Sequence, residues 1–591
     1  MEAIMSKVRN FKNFIGCIGL VGALVAHVSI QCLGEEAWPT NHGSNRGTAY
    51  SLFVATHPSS ALSLIGGRRY DFNNKRFYGW IQQISTSTGI GDAGFSAAGS
   101  TNRNINVSVS VPDPGSAYFD LSNSTKESMC TSAVWDTSYS NWWVLCRSFN
   151  TDNKYVIYLV KATTTGTITA YKTDLGGGTD NNYHAVPGRQ DSLLYDSGTL
   201  VVVGHRGQNL TGADSVKYRP FIATFTVADA PQDPTLTNWA STVEDFSDTD
   251  GNAYNHKAIA VTKAGSNYFA IYTKINHSQG NLRIAKYTTG LAASTGDKLF
   301  TDIVFNSPYT SPIVAPTAIA HYTSNATTIY GVGAIKSSAS GVWKGFVGAF
   351  STTDGSWVTS CDSDGYVDFQ VQSGTDTLTY DLAVSSDGYG SGVGAAHDLT
   401  NYKAYVARLD LRSSQCAFDT NFGTGGVYFH SEGVANTIYR AAAIDNSGQL
   451  INAGTQQVID GETGVIRDGG YYRTFSSTSS TSALKYVTGC SMDPIPATGS
   501  EGDTFTVTGT FTYSDNSTSS IAIDQLTCSG LPGERSGSTL TAGAGTVSGS
   551  CYAIGNNSTK CGDFSVTFAT TTTTTSTTTT TTTTMCEGSD C

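Results

Sequence analysis

A short apolar strand that ends on a small or aromatic residue recurs along most of this chain, and this recurrence limits the fold more than any other feature. Intervals of 80, 58, 68, 61, 61 and 60 residues separate the copies. The copies end at Gly66, Cys146, Gly204, Tyr272, Gly333, Gly394 and Gly454. A second strand follows each copy after about ten residues, so the pattern predicts seven units of short antiparallel strands.

Four strands in each 60-residue unit, repeated seven times, are typical of a β-propeller. A solenoid is the alternative, but solenoid repeats are usually shorter, roughly 20–45 residues. The predicted fold is therefore all-β: a seven-bladed β-propeller over residues 35–475, followed by a small Ig-like β-sandwich and a disordered Thr-rich tail.

The clearest unit also resembles a known family. Its segments Arg408–Asp410, Phe418–Val427 and Asp445–Gly454 are similar to the delta-60 repeat, a β-propeller family of secreted and surface proteins. The resemblance covers residues 380–475 and fades upstream. Cys416 and the Asn-Ser-Gly turn depart from the usual repeat. The resemblance implies a propeller scaffold and brings no catalytic residues.

Closure of the propeller ring is predicted from a partial sequence repeat near the N-terminus. Residues 40–43 and 47–51 are similar to residues 420–423 and 426–429, which precede the last strand pair of the repeat. The sequence therefore predicts that residues 40–51 pair beside the seventh blade and cover its open edge.

The first 34 residues are predicted to be a secretory signal peptide. Lys7, Arg9 and Lys12 precede a nearly continuous apolar run, which ends before the pair Glu35-Glu36. A retained signal anchor is the alternative, because a membrane span needs about 20 apolar residues. With cleavage we expect a secreted, extracellular or cell-surface protein that keeps no membrane span.

Ten cysteines remain after signal cleavage, and an even number in a secreted chain predicts disulfides rather than metal sites. Cys130 and Cys146 lie on two strands joined by a turn. Cys361 and Cys416 hold similar places in consecutive units, so we expect them to join neighbouring blades. For the next four cysteines we predict the pairs Cys490–Cys528 and Cys551–Cys561, although four cysteines allow three pairings.

Glycosylation is also predicted from sequence motifs. The N-glycosylation candidates are Asn106, Asn123, Asn209, Asn276, Asn325, Asn516, Asn556 and Asn557. The O-glycosylation candidates lie in the threonine run and begin with Thr570, Thr571, Thr572, Thr573, Thr574 and Thr575.

The composition changes after residue 475. A Ser/Thr linker over 476–484 leads to alternating strands over 485–569, where a Thr-Tyr-Ser-Asp-Asn-Ser-Thr turn resembles those of bacterial-type immunoglobulin-like modules. Residues 570–584 contain only threonine and serine, which predicts an extended stalk. Residues 585–591 form a tip that carries Cys586 and Cys591, suited to an intermolecular crosslink, a further module or one local disulfide.

The charge of the chain limits its partners. Its net charge is −12 and only 14% of residues are charged, against about a quarter in typical globular proteins. An acidic protein without a basic cluster in its sequence is a poor ligand for nucleic acid or an anionic membrane. We expect other extracellular proteins, copies of the same chain or glycans as partners.

No catalytic, cofactor or metal site is predicted. Asp248, Asp250 and Asn252 alternate as calcium ligands do, but the glycine and glutamate of an EF-hand are missing, so a polar turn is the simpler interpretation. A propeller glycosidase needs converging carboxylates. Its candidates are Asp136, Asp196, Asp381, Asp387 and Asp445, which precede hairpin turns where strand geometry also favours Asp.

The aromatic content leaves one further alternative open. Aromatic rings stack on sugars, and Trp142-Trp143 and Tyr471-Tyr472 place one ring on each face of a sheet, although core packing explains them equally. The function predicted from sequence is a structural or adhesive subunit of an extracellular assembly such as a wall, glycocalyx, filament or hair. A carbohydrate-binding lectin is the first alternative, and a glycoside hydrolase is the second.

Overall fold

A computed structural model describes most of residues 49–569. The signal peptide, the calcium candidate, the stalk and the tip lie outside the described residues. The described part omits 72–74, 87–91, 93–94, 96–105, 109–115, 122–126, 150–154, 176–182, 210–215, 233–237, 246–254, 277–278, 292–298, 306–308, 310–311, 339, 398–401, 413–415, 424, 430–435, 460–465, 477–486, 494–497, 501–503, 507, 514–517, 523–525, 529–534, 537–538, 542–544 and 554–555.

The described chain is almost entirely β-structure, arranged as successive antiparallel sheets. The first sheet contains β1 (Ala49–Thr56), β2 (Leu62–Asp71), β3 (Arg76–Ser85), β4 (Asn106–Ser108) and β5 (Ser116–Asp120). The second contains β6 (Met129–Asp136), β7 (Asn141–Phe149), β8 (Tyr155–Thr163) and β9 (Ile168–Lys172). The third contains β10 (Tyr183–Pro187), β11 (Leu193–Asp196), β12 (Thr199–Asn209), β13 (Val216–Thr226) and β14 (Thr242–Asp245). The fourth contains β15 (Asn255–Ala264), β16 (Asn267–Asn276), β17 (Gln279–Thr288) and β18 (Leu299–Asp302).

Three more sheets follow in the same pattern. The fifth contains β19 (Ile313–His321), β20 (Thr328–Lys336), β21 (Lys344–Ser351) and β22 (Tyr366–Phe369). The sixth contains β23 (Thr377–Val384), β24 (Tyr389–His397), β25 (Tyr402–Asp410), β26 (Ala417–Phe418) and β27 (Val427–Phe429). The last contains β28 (Thr437–Ile444), β29 (Gln449–Ile459) and β30 (Ile466–Ser476). Within the described residues, helical turns are confined to Gln190–Ser192, Val227–Asp229 and Asp362–Gly365.

These sheets form a β-propeller, which confirms the predicted all-β class and the prediction of a propeller. The first strands of consecutive sheets contact one another, so they line the axis, and we call them the inner strands. Apolar clusters fill the space between neighbouring sheets. The last sheet packs on the first through Val54, Ile65, Ala441 and Ile451, and this packing closes the ring.

The prediction of a seven-bladed propeller is wrong, because the structure has six full blades. Six sheets have four or five strands, whereas the last sheet has only three within the described residues. The closure prediction also fails, because residues 49–51 pair with residues 67–69 of the first sheet. Phe53 and Val54 are buried in apolar clusters of that sheet, which holds this segment as an inner strand. Residues 40–48 lie outside the described residues.

The recurring residue found in the sequence lies on the second strand of each sheet, opposite a bulge in the inner strand. The register shifts at one position in six inner strands, which leaves a single extra residue unpaired. These bulge residues are Leu52, Thr131, Ile259, Thr317, Tyr380 and Arg440. The aligned residue of the second strand pairs with the residue just before the bulge, as Gly394 does with Thr379. In the first unit Gly67, rather than Gly66, holds this position.

The bulge explains why glycine is common at the aligned position. A Cβ atom on Gly394 would overlap the carbonyl oxygen of Leu378, which turns toward it beside the bulge. We therefore expect Gly394→Ala to lower the free energy of unfolding by about 1–3 kcal/mol, as overpacking does. Gly392→Ala is the matched control, since its nearest neighbour would be Thr379 Cγ2 at 3.5 Å. Urea unfolding measures both variants, and equal effects of the two would contradict the explanation.

Two predicted disulfides of the propeller are confirmed. Cys130–Cys146 joins β6 to β7, and Cys361–Cys416 joins the outer parts of the fifth and sixth sheets. All four cysteines are fully buried. The second bridge therefore connects neighbouring blades across 55 residues of sequence.

The C-terminal region contains further short strands. They are β31 (Val487–Met492), β32 (Thr498–Ser500), β33 (Thr504–Thr506), β34 (Thr508–Tyr513), β35 (Thr518–Ala522), β36 (Leu526–Cys528), β37 (Arg535–Ser536), β38 (Thr539–Thr541), β39 (Gly545–Ala553) and β40 (Asn556–Ala569). They form three small sheets, and the Ig-like assignment stays a prediction. Cys490 is disulfide-bonded. The backbone register places Cys528 opposite Cys551, and the pairs predicted for Cys490, Cys528, Cys551 and Cys561 stay a prediction.

Candidate functional site

The propeller has two chemically different ends. We call the end at which the inner strands begin the upper face, and the end at which they turn into the second strands the lower face. Asp136, Asp196, Asp387 and Asp445 lie at the lower face, where each inner strand ends. These four glycosidase candidates serve as turn residues and as partners between blades. Asp445, for example, accepts hydrogen bonds from the backbone N–H groups of Ser447 and Gln449 at 2.9 and 2.7 Å.

The third sheet departs from the common bulge. Pro187 pairs with Gly204 and Leu193 pairs with Val202, so the five residues Gly188–Ser192 stand opposite Val203 alone. We call Gly188–Ser192 the axial segment. In the other units the bulge contains a single residue. The five-residue bulge of the third sheet is long enough to extend toward the axis.

The axial segment crosses the centre of the ring. Its residues contact the first strands of the first, second, fourth and fifth sheets. Arg189 N–H donates to the carbonyl oxygen of Ile259 at 2.8 Å, and Gln190 Nε2 donates to the carbonyl oxygen of Ala442 in the last sheet at 3.3 Å. A Cβ on Gly188 would overlap the Ile259 carbonyl oxygen, so the close approach requires glycine here.

A pair of carboxyl groups joins the axial segment to the sixth sheet. Asp381 is fully buried, and its side-chain oxygens accept hydrogen bonds from the N–H groups of Ala442 at 2.6 Å and Leu382 at 2.7 Å. Asp191 forms a side-chain hydrogen bond with Asp381. Asp191 thus connects the axial segment to the sixth sheet, and Gln190 connects it to the last. With the contacts given above, the axial segment touches every other sheet of the ring. We call Asp191 and Asp381 the carboxyl pair.

The carboxyl pair holds a proton between its two members. Burial raises the pKa of Asp191 well above its ordinary value, and the neighbouring charge of Asp381 raises it further. Burial also raises the pKa of Asp381, to about 6, although its hydrogen bonds oppose the rise. Their shared hydrogen bond raises the pKa of Asp191 and lowers that of Asp381, so Asp191 is the protonated donor and Asp381 the acceptor.

The spacing of this pair does not match a glycoside hydrolase. Retaining enzymes hold their two carboxyl groups about 5–5.5 Å apart and inverting enzymes about 6.5–9.5 Å, to leave room for the sugar or a water. Asp191 and Asp381 instead form a direct hydrogen bond. Of the five sequence candidates, only Asp381 lies at the axis.

Five cations lie near the axis, one of them in the axial segment itself and four around it. They are Arg68, Arg147, Arg189, Lys257 and Arg440, which we call the cation ring. Their like charges act on one another in the order Arg68, Arg440, Arg189, Lys257, Arg147 and back to Arg68. All five side chains are half-buried. Five sheets thus each contribute one cation.

Burial and repulsion act together on these cations. Burial lowers the pKa of Arg189, and the charge of Arg440 lowers it further. The pKa of Lys257 is lowered first by burial and then by Arg189 and Arg147. Arg68 stacks between two rings, 4.3 Å from the centre of Phe77 and 5.0 Å from that of Tyr50.

Other residues singled out in the sequence lie away from this site. Trp142 and Trp143 are fully buried in two different clusters between blades, so both serve core packing. Asn325 lies in the turn before β20, where its side-chain oxygen accepts a hydrogen bond from Thr327 at 3.0 Å. Within the described ranges no group of three or more metal-ligating side chains was found, and no helix there is long and apolar enough to cross a membrane.

Sequence reasoning missed most of the axial site. Asp191, Arg189 and Arg440 are not among its candidates, because nothing in a single sequence shows that a bulge residue points toward an axis. One signal was available. Pro187 is followed by Gly188 in the third unit, and a Pro-Gly dipeptide is typical of a turn, whereas Pro316 at the aligned position of the fifth unit is followed by Thr317.

Comparisons with known proteins identify no close relative. No protein-family model matches the chain, and no curated protein matches it. The solved structures that it resembles include the β-propeller domain of the Trilobed protease from Pyrococcus furiosus, with 9% identity, a TM-score of 0.37 and coverage of 74% of this chain and 98% of that one. Drosophila Semaphorin 2a has 8% identity, a TM-score of 0.35 and coverage of 90% and 98%. A subtype N10 neuraminidase-like protein of A/little yellow-shouldered bat/Guatemala/060/2010 has 10% identity, a TM-score of 0.32 and coverage of 71% and 92%. Similarity this distant indicates no activity.

Proposed function

We propose that this protein is a secreted, non-enzymatic glycoprotein that serves as an interaction or structural subunit of an extracellular assembly. The observation that carries the proposal is the filled axis. A propeller glycosidase needs converging carboxylates at the central mouth, but here the axial segment reaches every sheet and its Asp191 bonds directly to Asp381 of the sixth sheet. The axial segment thus occupies the place where a substrate would enter.

The disulfides support the extracellular setting. Both bridges of the propeller are fully buried, and disulfides persist mainly in oxidising compartments. The predicted signal peptide, glycosylation motifs and Thr-rich stalk suit the same location. The stalk would hold the propeller away from the cysteine tip, which suits a subunit linked through its end.

Extraction of the native protein from its source cells tests this proposal. We expect high-mass polymers that a denaturant alone leaves intact and that a reductant converts to monomers. The matched variant Cys586→Ser/Cys591→Ser removes only the tip cysteines and should yield monomers without reductant. Electrophoresis with and without reductant measures both.

A freely soluble, fully monomeric wild-type protein would contradict the structural role. Polymers that persist in the tip variant would place the crosslink elsewhere in the chain. Hydrolysis of a polysaccharide that is abolished by a single carboxylate substitution would replace the proposal with the hydrolase alternative.

A further inference from the structure

We propose that the C-terminal region, β31 to β40, closes two disulfides of its own, Cys528–Cys551 and Cys490–Cys561. This pairing leaves the two cysteines of the tip for bonds between chains. It differs from the pairs predicted from the sequence alone. The two disulfides rest on backbone positions, whereas the role of the tip rests on the proposed function.

The first pair follows from the register of two antiparallel strands. Cys528 on β36 lies directly opposite Cys551 on β39. Opposite residues of such strands have Cα atoms about 4.5–5.5 Å apart, which lies within the range that a disulfide spans. The propeller gives a precedent in the same chain, because Cys130 and Cys146 lie opposite each other and form a disulfide. The register therefore favours a bond between Cys528 and Cys551.

The second pair begins with Cys490, which is itself disulfide-bonded. Its strand β31 belongs to one small sheet and packs on β40 of another. When Cys528 and Cys551 bond to each other, Cys561 on β40 is the remaining cysteine of this region. A bond between Cys490 and Cys561 would join the two sheets at the place where these strands pack.

Gly562 marks this place on β40. A Cβ atom on Gly562 would lie 3.5 Å from the Cβ atom of Met492 on β31. Cys490 lies two residues before Met492, and the register of β31 is regular between them. Alternate residues of a strand share a face, so Cys490 and Met492 lie on the same side of their sheet. Cys561 directly precedes Gly562 in the sequence.

A bulge in β40 makes the bond from Cys561 compatible with the backbone. Cys551 pairs with Gly562 and Tyr552 pairs with Lys560, so Cys561 is the extra residue between them. At a bulge the alternation of faces is interrupted, so the step from residue 562 to residue 561 does not impose a change of face. The backbone thus brings Cys561 to the part of β40 that meets β31.

Each bond forms by exchange with a disulfide-bonded oxidoreductase of the secretory compartment. Two protein thiols lose two protons and two electrons, and the disulfide of the oxidoreductase is reduced to two thiols. The propeller then holds two disulfides and the C-terminal region holds two. Of the ten cysteines that follow the predicted signal peptide, Cys586 and Cys591 remain. The proposed function requires that these two bond to other chains.

Peptide mapping of the secreted, full-length protein without reductant tests the pairs. Trypsin together with a protease that cleaves before aspartate places each of the four cysteines on its own peptide, and N-glycans are removed after digestion. These peptides are 486–492, 524–535, 536–560 and 561–562. We expect mass spectrometry to show 486–492 linked to 561–562, and 524–535 linked to 536–560. Reductant should release all four.

A count of reactive thiols in denaturant separates the C-terminal region from the tip. The variant Cys586→Ser/Cys591→Ser should show no thiol before reduction, because its other cysteines are paired. Adding Cys551→Ala to that variant should expose one thiol per chain, that of Cys528. The link between 486–492 and 561–562 should persist in this triple variant, whereas the pairs predicted from sequence would leave Cys561 as the thiol.

Any other linkage overturns the inference. Examples are 486–492 joined to 524–535 or to 536–560, and any of the four peptides joined to the tip. Thiols detected in Cys586→Ser/Cys591→Ser would overturn it as well. If the expected pairs are found in a protein that is monomeric without reductant, the pairing stands and the structural role fails. Polymers joined through any of the four cysteines would retain the structural role and overturn the pairing.

Discussion

Replacing Asp381 with alanine is expected to lower the free energy of unfolding by about 4 kcal/mol. The change leaves the N–H groups of Ala442 and Leu382 and the carboxyl of Asp191 without their shared partner in the core. Each buried polar group that loses its hydrogen bond costs about 1–3 kcal/mol. Urea unfolding followed by tryptophan fluorescence measures the loss.

Asp191→Asn is the control for this prediction and gives a pH test. Both pKa values are raised on folding, so the folded protein retains protons that the unfolded chain releases. The stability from these protons is fully present below the unfolded pKa of about 3.9. The part from Asp381 is lost as pH rises through about 6, and the part from Asp191 is lost as pH rises through its own raised pKa. The side-chain amide introduced by Asp191→Asn still donates to Asp381 but cannot ionise.

The wild type should therefore lose more stability between pH 5 and pH 8 than Asp191→Asn. Unfolding midpoints in urea at the two pH values give the comparison. An equal loss in the two proteins would mean that the carboxyl pair does not share a proton in the folded state. A small effect of Asp381→Ala at pH 5 would mean that Asp381 does not hold the axial segment.

Removing the disulfide between blades is the second large effect expected. The double variant Cys361→Ala/Cys416→Ala should lose about 4 kcal/mol of stability, because the bridge closes a loop across 55 residues of sequence. Both cysteines are fully buried, so loss of packing adds to this effect. Differential scanning calorimetry of the oxidised proteins provides the measurement.

The variant Cys130→Ala/Cys146→Ala is the comparison for loop length. Its bridge spans only 16 residues within one sheet, which predicts a loss of about 3 kcal/mol. The bridge between blades should therefore have the larger effect. A larger loss in the shorter loop would show that packing at these sites, rather than chain entropy, dominates.

The axial site shows where prediction from sequence stops. Asp381 is recognisable as a carboxylate before a turn, and its grouping with Asp136, Asp196, Asp387 and Asp445 follows from strand spacing. The structure separates it from the others, because Asp381 directly follows the bulge at Tyr380 inside its strand, whereas the other four lie at or just beyond the ends of inner strands. One extra residue reverses the direction of a side chain, and spacing along the sequence cannot reveal it.

The class of fold follows from the amino-acid sequence. Strands recurring at about 60 residues predict the propeller. The cysteine positions predict Cys130–Cys146 from the pairing of two adjacent strands, and Cys361–Cys416 from similar places in consecutive units. The remaining features depend on tertiary contacts. Residues 49–51 join the first sheet because Phe53 and Val54 are buried there. The axial segment meets Asp381 and Ala442 only because ring closure brings the third sheet opposite the last two. Contacts across such a distance depend on the whole ring, and no local pattern records them.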